Sequence, residues 1–303
     1  MLNSYGSSGI GGAFPQSVLR AEQTGGGKWL ADKVSHSEGG VNYKGYGISG
    51  RLCYAELELL GVGGECGGIC WFYGEREPNN FKVVYEGRTT VLEHISGKRI
   101  VGVEHLSAAA LSFQNCEFKL NAPQGELPLL DGSARVWKEE LSSITKGVPQ
   151  SKELNFYKNS AKNFEIKTEF ATAKFSAFQD SAQLPCLFVS YSINRFNRKY
   201  NAEVKIETTD DLQKILEART FIFEEELALA KLSENLTECG VLIKGGTANF
   251  RFPNEPAYHK ILDLIGDISL YKNKLPSGSL IIYNGGHKLH HDILKSLLSI
   301  GNL

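Results

Sequence analysis

The sequence predicts an α+β fold, on three observations. Segments with strand periodicity are followed by segments with helix periodicity, and this pattern occurs twice along 303 residues. Between the two runs lies the best linker candidate, residues 146–152, with Gly147 and Pro149 at its centre. Hydrophobic residues make up 42 % of the chain and charged residues 22 %, a balance that supports a real core. Two α+β layers fit this order better than one doubly wound sheet. The expected parts are a flexible N-terminal extension over 1–27, an N-terminal domain over 28–147 and a C-terminal domain over 153–303.

Residues 1–27 are rich in Gly and Ser and lack periodic hydrophobicity, and they hold no apolar secretion segment. Residues 51–59 partly alternate apolar and polar, as a half-buried strand does. A turn with five glycines follows over 61–68, then a second apolar run over 69–73. Short strands are expected at 81–85 and 89–92. Small and apolar residues favour a helix over 103–113. A strand over 118–121, a turn over 128–133 and a helix over 136–144 complete the first run. In the second run, 163–171, 173–178 and 187–193 read as strands. A helix over 210–220 is opened by Thr208, Thr209 and Asp210 as a cap. Another helix is expected over 224–232 and a short apolar run at 241–244. The helix over 259–270 is the strongest, with Pro256 near its first turn. A strand at 280–283 and a helix over 288–298 end the chain.

The formal net charge is −1, and no long Lys or Arg run exists, which argues against nucleic acid as a partner. No stretch approaches the roughly 20 apolar residues of a membrane span. Six cysteines in a chain of this length suggest a reducing compartment rather than a disulfide framework. Cys66 and Cys70 have C-x3-C spacing, but no second pair accompanies them. Buried thiols are the simpler account.

Three histidines sit in settings that suit one metal site. On a helix, His259, Asp263 and Asp267 fall at i, i+4 and i+8, on one face roughly 80° wide. The first two can bind one metal, and the third can hold a ligand or a cation in place. A solvated polar stripe would have the same spacing, but would normally use lysine and glutamate. Glu104-His105 lies in an otherwise small and apolar helix. A buried glutamate there needs a partner or a task, and a base beside a ligand histidine has one. A helix-start pair facing solvent is equally compatible. His287 follows two glycines and precedes a helix, a place from which it can reach into a site or face solvent. The inventory suits zinc-dependent hydrolysis. His290 and His291 read as surface residues, and His36 and His94 have no supporting neighbours. The segments Asp131-Gly132-Ser133 and Ala218-Arg219-Thr220-Phe221 are open to two readings, as site elements or as a tight turn and a helix end.

Taken together, these segments resemble the LpxC family, zinc-dependent UDP-3-O-acyl-N-acetylglucosamine deacetylases of lipid A synthesis. The matches run in the family's order: Gly45 to Gly50, Val103 to Leu106, Pro128 to Ser133, Ala218 to Phe221, Arg251-Phe252, His259 to Asp263, Gly266-Asp267 and Gly286 to Leu289. The resemblance implies two similar two-layer α+β domains packed together, with the active site between them. It implies zinc held by His105, His259 and Asp263, although a two-histidine, one-carboxylate set also suits Fe2+. It makes Glu104 the general base and His287 the general acid, with Asp267 orienting or stabilising His287. Thr220 helps stabilise the oxyanion, Lys260 contacts the anionic part of the substrate and Phe221 lies beside the substrate. The implied partner is an acylated nucleotide sugar, the implied location is the cytoplasm, and a monomer is expected.

Three positions depart from the family pattern. Ile48 stands where a histidine usually precedes Ser-Gly. Residues 245–249 lack an acid, and Asn284 replaces a basic residue. These positions concern the substrate more than the metal. They motivate a second reading, a deacetylase of a different N-acetyl sugar. A third is a non-catalytic metal-containing protein that binds sugar nucleotides, against which the presence of both Glu104 and His287 argues.

Overall fold

The computed structural model describes residues 32–37, 40–63, 68–72, 81–86, 88–157, 163–178, 184–230, 239–270 and 273–300. The expected extension over 1–27 lies outside them, as do Cys66 and parts of the glycine turn and of the 224–232 helix. The fold is α+β.

The first five-stranded sheet has the order β1-β2-β3-β8-β4. Its strands are β1 (Asp32–Ser37), β2 (Gly40–Tyr46), β3 (Leu52–Val62), β4 (Gly68–Phe72) and β8 (Cys116–Asn121). All neighbours are antiparallel except β4 and β8. Alternation along β3 buries Cys53, Ala55 and Leu57, and along β8 it buries Cys116, Phe118 and Leu120. A separate three-stranded sheet joins β5 (Phe81–Glu86), β6 (Thr89–His94) and β7 (Arg99–Val101). Helices α1 (Glu104–Ala110) and α2 (Arg135–Ile144) pack on each other and reach the first sheet through β4 and β2.

The second five-stranded sheet has the order β12-β11-β15-β10-β9. It comprises β9 (Phe164–Lys167), β10 (Thr172–Ala177), β11 (Leu187–Arg195), β12 (Arg198–Ile206) and β15 (Gly278–Tyr283). Its one parallel pair is β11 with β15, which sets Tyr191 opposite Ile282. A 3-10 turn (Thr209–Leu212) leads into a short helix, α3 (Gln213–Leu216). β13 (Phe221–Phe223) and β14 (Val241–Ile243) form a two-stranded parallel sheet, with α4 (Glu224–Ala230) following β13. Among the described residues the two longest helices are α5 (Glu255–Ser269) and α6 (His287–Ile300). α5 lies against β11, β12, α6 and α1.

Two sequence expectations need correction. The helix expected over 210–220 breaks early, because the chain after Glu217 must turn to enter β13. Its cap is real: the Asp211 carboxylate accepts from the Thr208 backbone N at 2.9 Å and Oγ1 at 3.0 Å. The strand expected over 163–171 ends at Lys167, where a turn closes with Thr168 N donating to Ala171 O at 2.9 Å. Strands β2 and β12 were not among the expected elements, although Val41 and Tyr43, and Tyr200, Ala202, Val204 and Ile206, alternate with polar residues as a half-buried strand does.

At the crossing of α1 and α5, two backbones approach closely beside residues expected in the site. A Cβ placed on Gly266 would lie 2.1 Å from the Glu104 carbonyl oxygen. Beside it, Ser107 and Ser269 meet hydroxyl to hydroxyl at 3.1 Å, and Ala108 is fully buried. Small residues on both helices let the backbones touch.

Alanine inside a helix ordinarily stabilises by about 1 kcal/mol over glycine. Gly266→Ala should do the reverse and lower the unfolding free energy by about 1–3 kcal/mol, read from denaturant midpoints. Gly61→Ala, where the added Cβ meets nothing within 4 Å, should change it by no more than about 0.5 kcal/mol.

Candidate metal centre and its cavity

α5 presents His259, Asp263 and Asp267 on one face because they are a turn apart. Pro256 sits in its first turn and Glu255 anchors its start. Arg219 donates to the buried Glu255 carboxylate from its backbone N at 3.0 Å, Nε at 2.8 Å and Nη2 at 3.1 Å. That clamp ties the segment carrying Thr220 and Phe221 to the helix carrying His259. The Asp131-Gly132-Ser133 turn adds a brace, for Thr220 N donates to Gly132 O at 2.6 Å. Gly132 has φ of 78°, and a Cβ there would strike the Cys239 carbonyl. Both segments are therefore parts of the site's frame.

His105, His259 and Asp263 converge from α1 and α5. His105 Nε2 lies 3.1 Å from His259 Nε2 and 3.4 Å from Asp263 Oδ1. His259 Nδ1 and Asp263 Oδ1 are buried without a hydrogen bond. Donor atoms of these three residues lie within 4.8 Å of one another. Ligands of one tetrahedral zinc ion, bonded at about 2.0–2.1 Å, stand roughly 3.3 Å apart. Two imidazoles and a carboxylate at this spacing, with polar atoms left unbonded, fit one divalent ion.

Electrostatics separate the roles of the groups around the three. Burial pushes the Glu104 carboxyl above the ordinary carboxylate range, against the pull of His287. Thr89 Oγ1 donates to Glu104 Oε1 at 2.9 Å, and Thr90 N to Oε2 at 3.4 Å. Burial pushes His259 well below the ordinary histidine value, so its ring is neutral, as a ligand must be. Burial opposes ionisation of Asp263, but His259, Lys260 and His287 outweigh it and hold the carboxyl well below its usual range. Burial likewise disfavours the charged His287, but Asp267 and Asp263 raise it to about 9. His287 Nδ1 is 3.0 Å from Asp267 Oδ2. Its Nε2 faces Asp263 Oδ2 at 3.6 Å and Glu104 Oε1 at 4.0 Å.

Every residue predicted for the site except Asp267 lines one cavity of about 700 Å³, and Asp267 stands directly behind His287. Lys260 Nζ donates to Asp263 Oδ2 at 2.8 Å and lies 5.7 Å above the Phe221 ring. The Phe221 ring meets His259 edge-on at 5.9 Å. Ile48 and Asn284 also line the cavity, as do Arg88, Arg195 and Glu226. Both arginines face Glu226 Oε1, at 3.2 Å and 2.7 Å.

Sequence reasoning missed several members. His290 and His291, read as surface residues, are 0 % and 4 % exposed. Their spacing from His287, i+3 and i+4 on a helix, was the available signal. Thr89, Thr90 and Tyr191 carried none, since their partners lie far away in sequence.

The profile of the family described as "LpxC: UDP-3-O-acyl N-acetylglycosamine deacetylase" matches residues 68–299, more than half of the chain. Relatives named UDP-3-O-acyl-N-acetylglucosamine deacetylase, from Nostoc sp. and Synechocystis sp., are each 31 % identical over 222 residues. Each alignment covers 66 % of this chain and 74 % of the relative. A relative from Arabidopsis thaliana, named a probable mitochondrial UDP-3-O-acyl-N-acetylglucosamine deacetylase, is 26 % identical over 230 residues, covering 66 % of this chain and 68 % of its own. Among the described residues, no helix is long and apolar enough to cross a membrane.

A bound ion should stabilise the fold. At about 100 times its Kd it should add about 2.7 kcal/mol over chelated protein, measured by thermal or denaturant unfolding. Asp263→Ala should abolish that gain. Equal gains in both proteins would place the ion elsewhere.

Proposed function

The chain belongs to the LpxC family, and from that premise we propose that it is a zinc-dependent deacetylase acting on the N-acetyl group of UDP-3-O-acyl-N-acetylglucosamine. The observation that carries this reading is the convergence of Glu104, His287 and Asp263, whose side-chain atoms lie within 4.8 Å of one another, with His105 and His259 beside Asp263. We assign residues 28–147 and 153–303 to two α+β domains that share the site, and place the reaction in the cytoplasm, in keeping with the bacterial relatives.

An amide carbon is a poor electrophile, so its hydrolysis needs carbonyl activation, a base and a proton donor together. Zinc held by His105, His259 and Asp263 would supply Lewis acidity toward the carbonyl and the attacking water. Glu104, held by Thr89 and Thr90, takes the proton from that water. His287 is protonated near neutrality and gives its Nε2 proton to the departing amine, while Asp267 holds Nδ1. Thr220 lines the same cavity and is assigned to the oxyanion. Lys260 is assigned to the anionic part of the substrate and Phe221 to a packing contact with it. The doubly tethered Glu226 keeps Arg88 and Arg195 on the wall of the same cavity.

A second reading is the same chemistry on a different N-acetyl sugar. It is favoured by Ile48 and Asn284, uncharged side chains lining the cavity at positions where the family usually carries histidine and a basic residue. Acetate release compared across UDP-linked acylated, UDP-linked unacylated and free N-acetyl sugars separates the two.

In the same assay Glu104→Ala should cost about 10²–10⁴-fold in kcat, and unchanged turnover would refute the mechanism. The pH profile should be bell-shaped. Base function is lost as pH falls through the raised Glu104 value. Acid function is kept below about 9 and lost as pH rises through it. A rate still rising above pH 10 would remove His287 from the acid role.

A further inference from the structure

We propose that His290 is a positioning residue that acts through Asp267 to fix the ring of His287 and aim its Nε2 at the reacting group. The proposal rests on the reading of His287 as the general acid.

Asp267 has two oxygens and three neighbours that donate to it. Thr90 Oγ1 donates to Oδ1 at 2.6 Å, while His287 Nδ1 at 3.0 Å and His290 Nδ1 at 2.9 Å share Oδ2. On its far side, His290 Nε2 lies 2.9 Å from Tyr191 OH. This chain of contacts has one consistent proton assignment. An ionised Asp267 only accepts, so His290 carries its proton on Nδ1. A neutral His290 then accepts at Nε2, and Tyr191 donates. Burial agrees at each member: it lowers His290, which favours the neutral ring, and raises Tyr191 well above its ordinary value, which keeps the hydroxyl protonated.

The backbone makes room for this arrangement. A Cβ on Gly285 would lie 2.5 Å from Tyr191 OH, so glycine two residues before His287 admits the hydroxyl. Tyr191, His290 and Asp267 are each wholly buried. His291 completes the enclosure at 3.2 Å from Thr90 Oγ1. With a donor on each side, the Asp267 carboxylate cannot rotate without losing a buried hydrogen bond. That fixes the direction of the His287 Nδ1–H bond, and with it the direction of Nε2. Tyr191 lies on β11, so the general acid is referenced to the second sheet and not only to its own helix.

The test uses zinc-loaded protein and the variants His290→Ala, His290→Asn and Tyr191→Phe. Asparagine can place an amide N–H where Nδ1–H stood, whereas alanine cannot. With UDP-3-O-acyl-N-acetylglucosamine, His290→Ala should lose about 10–100-fold in kcat per folded, zinc-loaded molecule, with KM within about twofold. His290→Asn should recover to within about threefold of the parent. A histidine ¹H–¹⁵N spectrum should show a neutral His290 protonated on Nδ1 and a hydrogen-bonded His287 Nδ1–H. The His287 signal should persist in His290→Asn and shift or vanish in His290→Ala. Tyr191→Phe should shift the His290 Nε2 resonance. Turnover with unchanged kcat in His290→Ala, or a His287 signal indifferent to that change, overturns the proposal. Absence of turnover in the parent protein would instead count against the assigned activity, while the spectrum still decides the positioning role.

Discussion

The contact on which the rest depends is the crossing of α1 and α5 at Gly266. A helix pair usually keeps its axes 8–10 Å apart because side chains lie between them. Here the glycine removes the side chain from one helix at the point where the other begins, and the Glu104 carbonyl fills the space. The first two residues of α1, Glu104 and His105, are thereby set against the middle of α5. Only then do His105, His259 and Asp263 share one small volume. Nothing in α5 alone makes a three-donor site, since its own face offers only His259, Asp263 and the more distant Asp267.

Such a site is costly to bury. Glu104, Asp263 and Asp267 are all less than a tenth exposed, as are His105, His259, His287, His290 and His291. The charges are offset in two ways. Around Asp267 the offset is complete in the protein itself, through Thr90, His287 and His290. Around Asp263 it is incomplete: a lysine and a histidine approach one oxygen, while the other has no hydrogen bond. A divalent ion held there would close that deficit. The two carboxylates, one turn apart, thus differ in environment: Asp267 is fully partnered within the protein and Asp263 is not.

The legible parts of the sequence were those in which one helix carries its own signal. The stripe of His259, Asp263 and Asp267 shows in its spacing, and Glu104 shows as an acid in an apolar helix. The α+β class followed from strand and helix periods, and the ends of α5 and α6 were missed by only a few residues. What stayed hidden depends on distant partners. Thr89 and Thr90 look like ordinary strand residues until β6 is laid against α1 and α5. Tyr191 is an ordinary core tyrosine until α6 brings His290 to it. Short elements such as α3 and β13 were hard to read for a related reason. Their ends are set by where Thr220 and Phe221 must stand relative to α5, a tertiary demand that overrides local propensity.

The most direct test of this account is the position of the ion. Crystals of zinc-loaded protein should be measured on both sides of the zinc absorption edge. The account predicts one strong anomalous peak, at full occupancy, bonded to His105, His259 and Asp263 at about 2.0–2.2 Å. A principal peak at Asp267, His287 and His290, or at a cysteine, would contradict it.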